Sequence, residues 1–252
     1  MAVGRLRRGQ VQASGGDRMA AGAEPNRPLS RSELASCTER VLRRGRGAKP
    51  AILLVGWGGR RLIVKDFAQA PWLVRNLYGR WIVGNEARIY ARLEGVQGVP
   101  AFRGRVDAFA FAVDYVDASS LKARPRRSLP AAVFDRLGEL QAALHRRGVV
   151  HLDAHQRKNI LLTADGQPWL VDFATSLYLG TGWVGRKLLV PLLAPADRVG
   201  LQKLKARYCA ERLPRVERRA HRLRWALGWL WPHTLLRRVR RALRRRARRR
   251  PR

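Results

Sequence analysis

The chain has 252 residues, 46% of them hydrophobic, which is enough to bury the core of one two-lobed domain and leave a tail. Its 52 lysines and arginines outnumber 18 aspartates and glutamates, and the formal net charge of +34 favours an anionic partner: nucleic acid, an acidic membrane surface or a phosphorylated substrate. No stretch reaches the ~18 uninterrupted apolar residues of a membrane span, and two widely spaced cysteines indicate neither a disulfide scaffold nor a zinc site, as in a reducing cytoplasm.

Residues 1–30 are rich in Gly, Ala, Arg and Ser, and this composition predicts a disordered segment. Order begins at Arg31, with a short helix or a first strand. Two further strands, 51–55 and 61–65, are joined by the glycine turn 56–59.

Two amphipathic helices are predicted further along the chain. The first, 81–93, places Val83, Ala87, Tyr90 and Ala91 at helical spacing and includes Glu86. Two strands follow, and then a second helix carries an apolar stripe and ends before Gly148, where a C-cap glycine belongs. The strands are 102–106 and 109–113, and the second helix is 131–147.

The stretch 149–176 concentrates the polar residues that bear chemistry. Two apolar runs, 160–162 and 169–171, flank Asp165-Gly166 and predict a β-hairpin. Asn159 precedes the first strand and Asp172 follows the second, so the hairpin holds both at one end.

The residues at this end suit a divalent cation. Asp153 lies on the loop leading into the hairpin, two residues after His151, and joins Asn159 and Asp172 there. Two carboxylates and an amide converging on one point favour an ion of the Mg²⁺ type, which takes hard oxygen ligands together with phosphate oxygens and water. An ordinary hairpin with polar ends is the alternative for any one of these residues alone.

The motif order resembles the catalytic and metal loops of protein-kinase-like phosphotransferases. It reads His151-Leu152-Asp153, then Asn159 before an apolar strand, then Asp172-Phe173-Ala174. Two departures are visible: one extra residue separates Asp153 from Asn159, and Ala174 replaces the glycine of the Asp-Phe-Gly motif. Neither departure removes an oxygen ligand.

The resemblance implies an ATP- and Mg²⁺-dependent kinase and assigns roles upstream of the hairpin. Lys65, at a strand end, would hold the α- and β-phosphates of ATP, and Glu86 would pair with it. Gly45 and Gly47 would cover the phosphates. The alternatives are a solvated lysine, a first-turn acid favoured by the helix dipole, and plain turn glycines.

In the same resemblance Asp153 would be the catalytic base, and Asn159 and Asp172 would hold the metal. The implied fold is α+β and two-lobed, with a compact C-lobe and a basic C-terminal tail. Its expected parts are an N-lobe (31–113), a hinge (114–118), a C-lobe (119–212) and a tail (213–252).

No Ala-Pro-Glu motif follows Asp172, and an apolar run, 188–193, and a helix, 196–212, complete a small C-lobe. This favours similarity to the bacterial lipopolysaccharide core kinases, which act on sugars such as Kdo or heptose. The expected acceptor is a sugar hydroxyl of a lipid-anchored glycan. An atypical serine/threonine protein kinase and a non-catalytic pseudokinase that binds anionic partners stay open.

The tail, 213–252, alternates tryptophans and leucines with arginines. Trp225, Trp229 and Trp231 precede a nearly continuous run of arginine. Such a segment suits the headgroup region of an anionic membrane, with nucleic acid as a second choice. The expected location is therefore cytoplasmic, at the inner membrane face.

Overall fold

The computed structural model describes residues 27–211, so the predicted tail and most of the predicted disordered segment lie outside the described part of the chain. The first lobe contains two helices and five strands, with a π-helical segment, Val74–Gly79, leading directly into the second helix. In chain order these elements are α1 (Arg31–Cys37), β1 (Thr38–Arg43), β2 (Ala51–Trp57), β3 (Arg60–Asp66), α2 (Arg80–Arg92), β4 (Phe102–Arg105) and β5 (Ala110–Asp114).

The five strands form one antiparallel sheet in the order β1-β2-β3-β5-β4. Strands β2 and β3 are joined by Gly58-Gly59, whose φ angles of 55° and 73° lie in the left-handed region. A two-residue hairpin turn with positive φ at both positions matches the strand twist and favours glycine, so the predicted glycine turn is confirmed. The first two residues of the predicted turn, Gly56 and Trp57, belong to β2.

The side-chain alternation of β3 explains how the sheet separates packing from chemistry. Leu62 and Val64 are buried in a cluster with Leu34 of α1, on one face of the sheet. Because successive strand residues point to opposite faces, Ile63 and Lys65 lie on the other face, toward the second lobe. The strand period therefore places Lys65 in the space between the lobes.

The predicted disordered segment, residues 1–30, includes residues that contact the first lobe. Leu29 is buried with α1, and the carbonyl of Arg27 accepts a hydrogen bond from Trp57 Nε1 at 3.1 Å. Ser30 and Glu33 form a capping box at the start of α1. One buried leucine among polar residues is too weak a signal to mark the end of the predicted segment in the sequence.

The second lobe follows the segment after β5. It contains the predicted helix α3, whose apolar stripe is buried and which ends at Arg146, two residues before Gly148, whose φ is 74°. Strands β6, β8 and β9 form a three-stranded sheet, and β7 pairs with β10. The elements are β6 (Ser119–Ser120), α3 (Ala131–Arg146), β7 (Val149–Val150), β8 (Ile160–Leu162), β9 (Pro168–Leu170), β10 (Leu177–Tyr178) and α4 (Val190–Tyr208).

The last helix starts earlier than predicted. A π-helical segment, Gly185–Leu189, leads into α4, so the apolar run 188–193 belongs to this helical stretch and the prediction of a helix confined to 196–212 is wrong. Pro191 is the second residue of α4, but it follows the π-helical segment directly and so lies inside a continuous helical stretch. Val190 and Ala194 then pack against Val150 and stabilise the early start. Among residues 27–211, no helix is long and apolar enough to span a membrane.

Candidate active site

A cavity of about 360 Å³ lies between the two lobes, within the size range of small-molecule sites. Apolar side chains from both lobes line it, among them Ile52 and Ile63 from the first lobe and Leu161 from the second. The predicted hinge contributes Asp114, Tyr115, Val116 and Ala118, and the polar lining includes Lys65, Glu86, Lys158, Asn159 and Asp172.

Lys65 joins two carboxylates that are distant in sequence. Its Nζ contacts Glu86 Oε2 and lies 2.9 Å from Asp172 Oδ1. The Lys65 side chain is 11% exposed and that of Glu86 is 1% exposed. The structure thus brings together β3, α2 and the segment after β9. The Lys65–Glu86 pair is the one that the kinase resemblance implies, whereas the contact of Lys65 with Asp172 was not predicted.

Burial and charge act against each other in this cluster. Burial lowers the pKa of Lys65, but the neighbouring Glu86 and Asp172 outweigh it and raise that pKa above its ordinary value. Burial also raises the pKa of Glu86 to about 7, against the opposing charge of Lys65. Lys65 therefore stays protonated and can bind a further anion.

Asp172 is held from both sides by ammonium groups. Its second oxygen, Oδ2, lies 3.1 Å from Lys158 Nζ. Burial opposes ionisation of Asp172, but Lys65 and then Lys158 outweigh it and hold the pKa of this carboxyl below its usual range. Asp172 is therefore an anion at neutral pH, and both of its oxygens already attract positive charge.

The substitution of alanine for glycine at position 174 has a local explanation. Asp172 itself has a φ of 67°, whereas Ala174 is not among the described residues with positive φ. The strained corner falls on the aspartate, so position 174 needs no glycine. Phe173 is buried, with its ring centre 4.9 Å from that of Tyr90 and 4.7 Å from that of His151.

The loop between Asp153 and Asn159 absorbs its extra residue in two consecutive turns. The backbone N–H of Gln156 donates to Asp153 O at 3.0 Å, and that of Asn159 donates to Gln156 O at 2.9 Å. Asn159 Nδ2 still reaches Asp153 O, at 3.3 Å. The Asp153 carboxylate, whose side chain is 19% exposed, accepts a hydrogen bond from Gln156 Nε2 and has His155 Nε2 3.9 Å away.

The predicted hairpin is confirmed by the antiparallel pairing of β8 with β9. Beyond the paired strands, Val171 N–H donates to Asn159 O at 2.9 Å, so Asn159 and Asp172 lie at the same end. The connection is a five-residue loop, 163–167, in which Gly166 has a φ of 77°. The turn signal was therefore correct in position, although the loop is longer than a two-residue turn.

Sequence reasoning missed Asp197, which binds the backbone of the loop that leads to Asp153. Its carboxylate lies on α4, is 1% exposed and accepts the backbone N–H groups of His151 at 2.9 Å and Leu152 at 2.8 Å. His145 Nε2 lies 3.1 Å away. These bonds support Leu152 in the left-handed region, with a φ of 60°. An acid inside an apolar stretch of helix was the available signal.

The donor set fits a Mg²⁺ ion. The Asn159 amide nitrogen is used by Asp153 O, which leaves its oxygen for a cation, and the Asp172 oxygens already hold two ammonium groups. No cluster of three His, Cys, Asp or Glu side chains within residues 27–211 could hold a metal alone. A Mg²⁺ ion that takes phosphate oxygens and water as its other ligands needs no such cluster.

Gly45 and Gly47 lie in the predicted place, the loop between β1 and β2, but neither is among the residues that line the cavity. Both have structural reasons to be glycine. Gly47 has a φ of 57°, and a Cβ on Gly45 would lie 3.2 Å from the backbone nitrogen of Ala51. Contact of this loop with phosphates stays a prediction.

Four features define a protein-kinase-like fold. They are the five-stranded antiparallel sheet, the Lys65–Glu86 pair, the segment 114–118 along the cavity, and the hairpin with Asn159 and Asp172. The predicted α+β, two-lobed fold is therefore confirmed for the described residues; the basic tail lies outside them.

No protein-family model and no curated protein matches the chain. Two solved structures of the Rio2 kinase from Chaetomium thermophilum, one of them its ADP/Mg²⁺-phosphoaspartate complex, are 18% identical to it, each with a TM-score of 0.49. Each match covers 76% of this chain, which spans only 65% and 63% of the Rio2 chains.

Proposed function

We propose that the chain is an ATP- and Mg²⁺-dependent kinase that transfers a phosphoryl group to an alcohol. The observation that carries the proposal is the convergence of Lys65, Glu86 and Asp172 beside the cavity between the lobes. A buried, charged lysine next to an ionised aspartate suits a nucleotide that brings phosphate and a divalent cation together.

Each residue then has one task. Lys65 binds phosphate oxygens of the nucleotide, and Glu86 fixes the position of Lys65. Asn159 and Asp172 hold the Mg²⁺ ion, which when bound neutralises phosphate charge. Asp153 orients the acceptor hydroxyl and takes its proton as the new O–P bond forms and the bond from the γ-phosphorus to the bridging oxygen breaks, with ADP as the leaving group. Such a reaction depends on positioning and charge neutralisation more than on covalent chemistry of the protein.

For the acceptor, we propose a sugar hydroxyl of a lipopolysaccharide-type glycolipid at the cytoplasmic face of the inner membrane. The small second lobe supports this choice, because only residues 173–184 separate the Asp172 motif from the helical stretch that ends the described lobe. The basic tail, 213–252, would add attraction to an anionic membrane more readily than to nucleic acid.

An atypical serine/threonine protein kinase would use the same site equally well, and the two are separated by their acceptors. Radiolabelled ATP is supplied with Mg²⁺ and either a lipid-linked core sugar or a general protein substrate, with the Asp172→Asn variant as control. Label on the sugar supports the proposal, and label on protein alone replaces it with the protein-kinase alternative. A protein that shows no ATP- and Mg²⁺-dependent rise in melting temperature would be a pseudokinase.

A further inference from the structure

Two helical segments outside the cavity each expose a stripe of large apolar side chains. In the first stripe Leu73, Leu77 and Trp81 follow one another at intervals of four residues and are 62%, 65% and 61% exposed. Side chains at this spacing lie along one face of a helix. Trp72, which is 69% exposed, adds to this surface.

The second stripe lies at the start of α4. Val184, Leu188 and Leu192 again follow at intervals of four and are 53%, 58% and 61% exposed, with Trp183 beside them at 74%. The neighbouring Val190 and Ala194 are buried against Val150. The stripe is therefore an outward face of the helical stretch whose later residue, Asp197, holds the catalytic loop.

The two stripes flank the chain segment that follows Asp172. Asn85 lies four residues after Trp81, on the same ridge of α2, and its Nδ2 donates to Ser176 O at 3.1 Å. From Ser176 the chain runs through β10 to Trp183. The first stripe thus ends beside Ser176, four residues after Asp172, where the segment toward the second stripe begins.

Within the two chain segments that carry the stripes, every charged side chain is positive. Residues 67–85 and 173–196 contain no Asp or Glu, and they include Arg75, Arg80 and Lys187. Single exposed apolar residues are ordinary, but large ones repeated along one face of a helix mark an interaction surface.

The positive charge of the segments that carry the stripes determines which partner can bind them. A second copy of the chain, at +34, would bring like charge, and so would 213–252, with sixteen arginines and one acid, Glu217. Tryptophan and leucine beside cations on a helix suit the boundary between headgroups and acyl chains of an anionic bilayer.

We infer that the two stripes form a membrane-docking surface, in which Leu73, Leu77, Trp81, Leu188 and Leu192 enter the headgroup region of an anionic bilayer. The inference rests on the proposed function in that docking brings a lipid-anchored acceptor to the end of the cleft that holds Asp153. It assigns membrane contact to the kinase fold itself, in addition to the tail.

The test uses the full chain and vesicles of phosphatidylglycerol with phosphatidylcholine, at high salt so that the attraction of exposed arginines is screened. Two double variants, Leu77→Gln/Trp81→Gln and Leu188→Gln/Leu192→Gln, are compared with Val41→Gln, a 51% exposed position on β1 outside both stripes. We expect each double variant to partition at least tenfold more weakly and Val41→Gln to partition like wild type. A lipid with a photoreactive acyl chain should label 72–81 and 183–192.

Three results would overturn the inference. They are labelling confined to 213–252, equal partitioning of all variants, and dimers in solution that the double variants dissociate without loss of vesicle binding. Failure of the proposed function is visible separately. Transfer to a soluble, delipidated acceptor should survive both double variants. If docking is intact but no acceptor is phosphorylated, the proposed kinase function is wrong and the membrane-docking surface stands.

Discussion

Replacing Asp197 with alanine should destabilise the protein and slow phosphoryl transfer for the same structural reason. The buried carboxylate accepts two backbone N–H groups, from His151 and Leu152, and lies against His145. Leaving a buried donor without a partner costs about 1–3 kcal/mol, so two of them should lower the free energy of unfolding by about 2–6 kcal/mol. Asp197→Asn keeps one acceptor oxygen and should lose less.

The matched control is Asp135→Ala. Asp135 also lies on a helix of the second lobe, but its side chain is 63% exposed and makes an ion pair with Lys205 at 3.3 Å. An exposed pair of this kind contributes at most about 1 kcal/mol. Urea unfolding followed by circular dichroism measures both losses.

The catalytic part of the prediction separates positioning from simple loss of fold. Asp197 supports the two residues that precede Asp153, whereas Lys65, the proposed phosphate ligand, lies on the other lobe. Asp197→Asn should therefore lower kcat at least tenfold and leave ATP affinity, measured by calorimetry, within twofold of wild type. If the Asp197 variants are as stable as Asp135→Ala and transfer phosphate at the wild-type rate, the support role is wrong.

Three further predictions concern the proposed site and the tail. Asp172→Asn should lower turnover far more than tenfold, because a metal carboxylate is lost, and should change the melting temperature little; a tenfold change corresponds to ~1.4 kcal/mol. Turnover within tenfold of wild type would show that Asp172 is not part of the metal site. Asp153→Ala should slow transfer and spare ATP affinity, since a proton acceptor hardly touches the nucleotide; collapsed ATP binding would make it a structural or metal residue. Deleting 213–252 should remove the salt-sensitive part of vesicle binding and spare ATP binding. If full-length and truncated protein show equal salt dependence in co-sedimentation with vesicles, the tail does not bind the membrane electrostatically.

The parts of the site that could be predicted rest on local pattern and on the resemblance to kinase-like motifs. The resemblance singled out Lys65, which strand alternation along β3 puts on the cleft face, and the hairpin pattern placed Asn159 and Asp172 at one end. Helical spacing identified Val83, Ala87 and Tyr90 correctly, although Ala91 is exposed. Local periodicity tolerates such errors because neighbouring residues still define the buried face.

The parts that could not be predicted depend on contacts between distant elements. Asp197 reads as an ordinary helix acid until α4 packs beneath the catalytic loop and buries it. Lys158 reads as one more lysine in a basic chain, and only folding brings it to Asp172. The early start of α4 was hidden by Pro191 and Pro195, which argue against a helix locally but are outweighed by the packing of Val190 and Ala194.

The two lysines on Asp172 have a consequence for the order in which ligands enter the cleft. Lys65 and Lys158 balance the charges of Glu86 and Asp172, so a free Mg²⁺ ion approaching Asp172 meets two ammonium groups and has to displace them. In the proposed kinase, a nucleotide arriving with its ion would supply phosphates that bind the displaced ammonium groups. Metal and nucleotide affinities would then be thermodynamically coupled, and each should strengthen the other by the same factor.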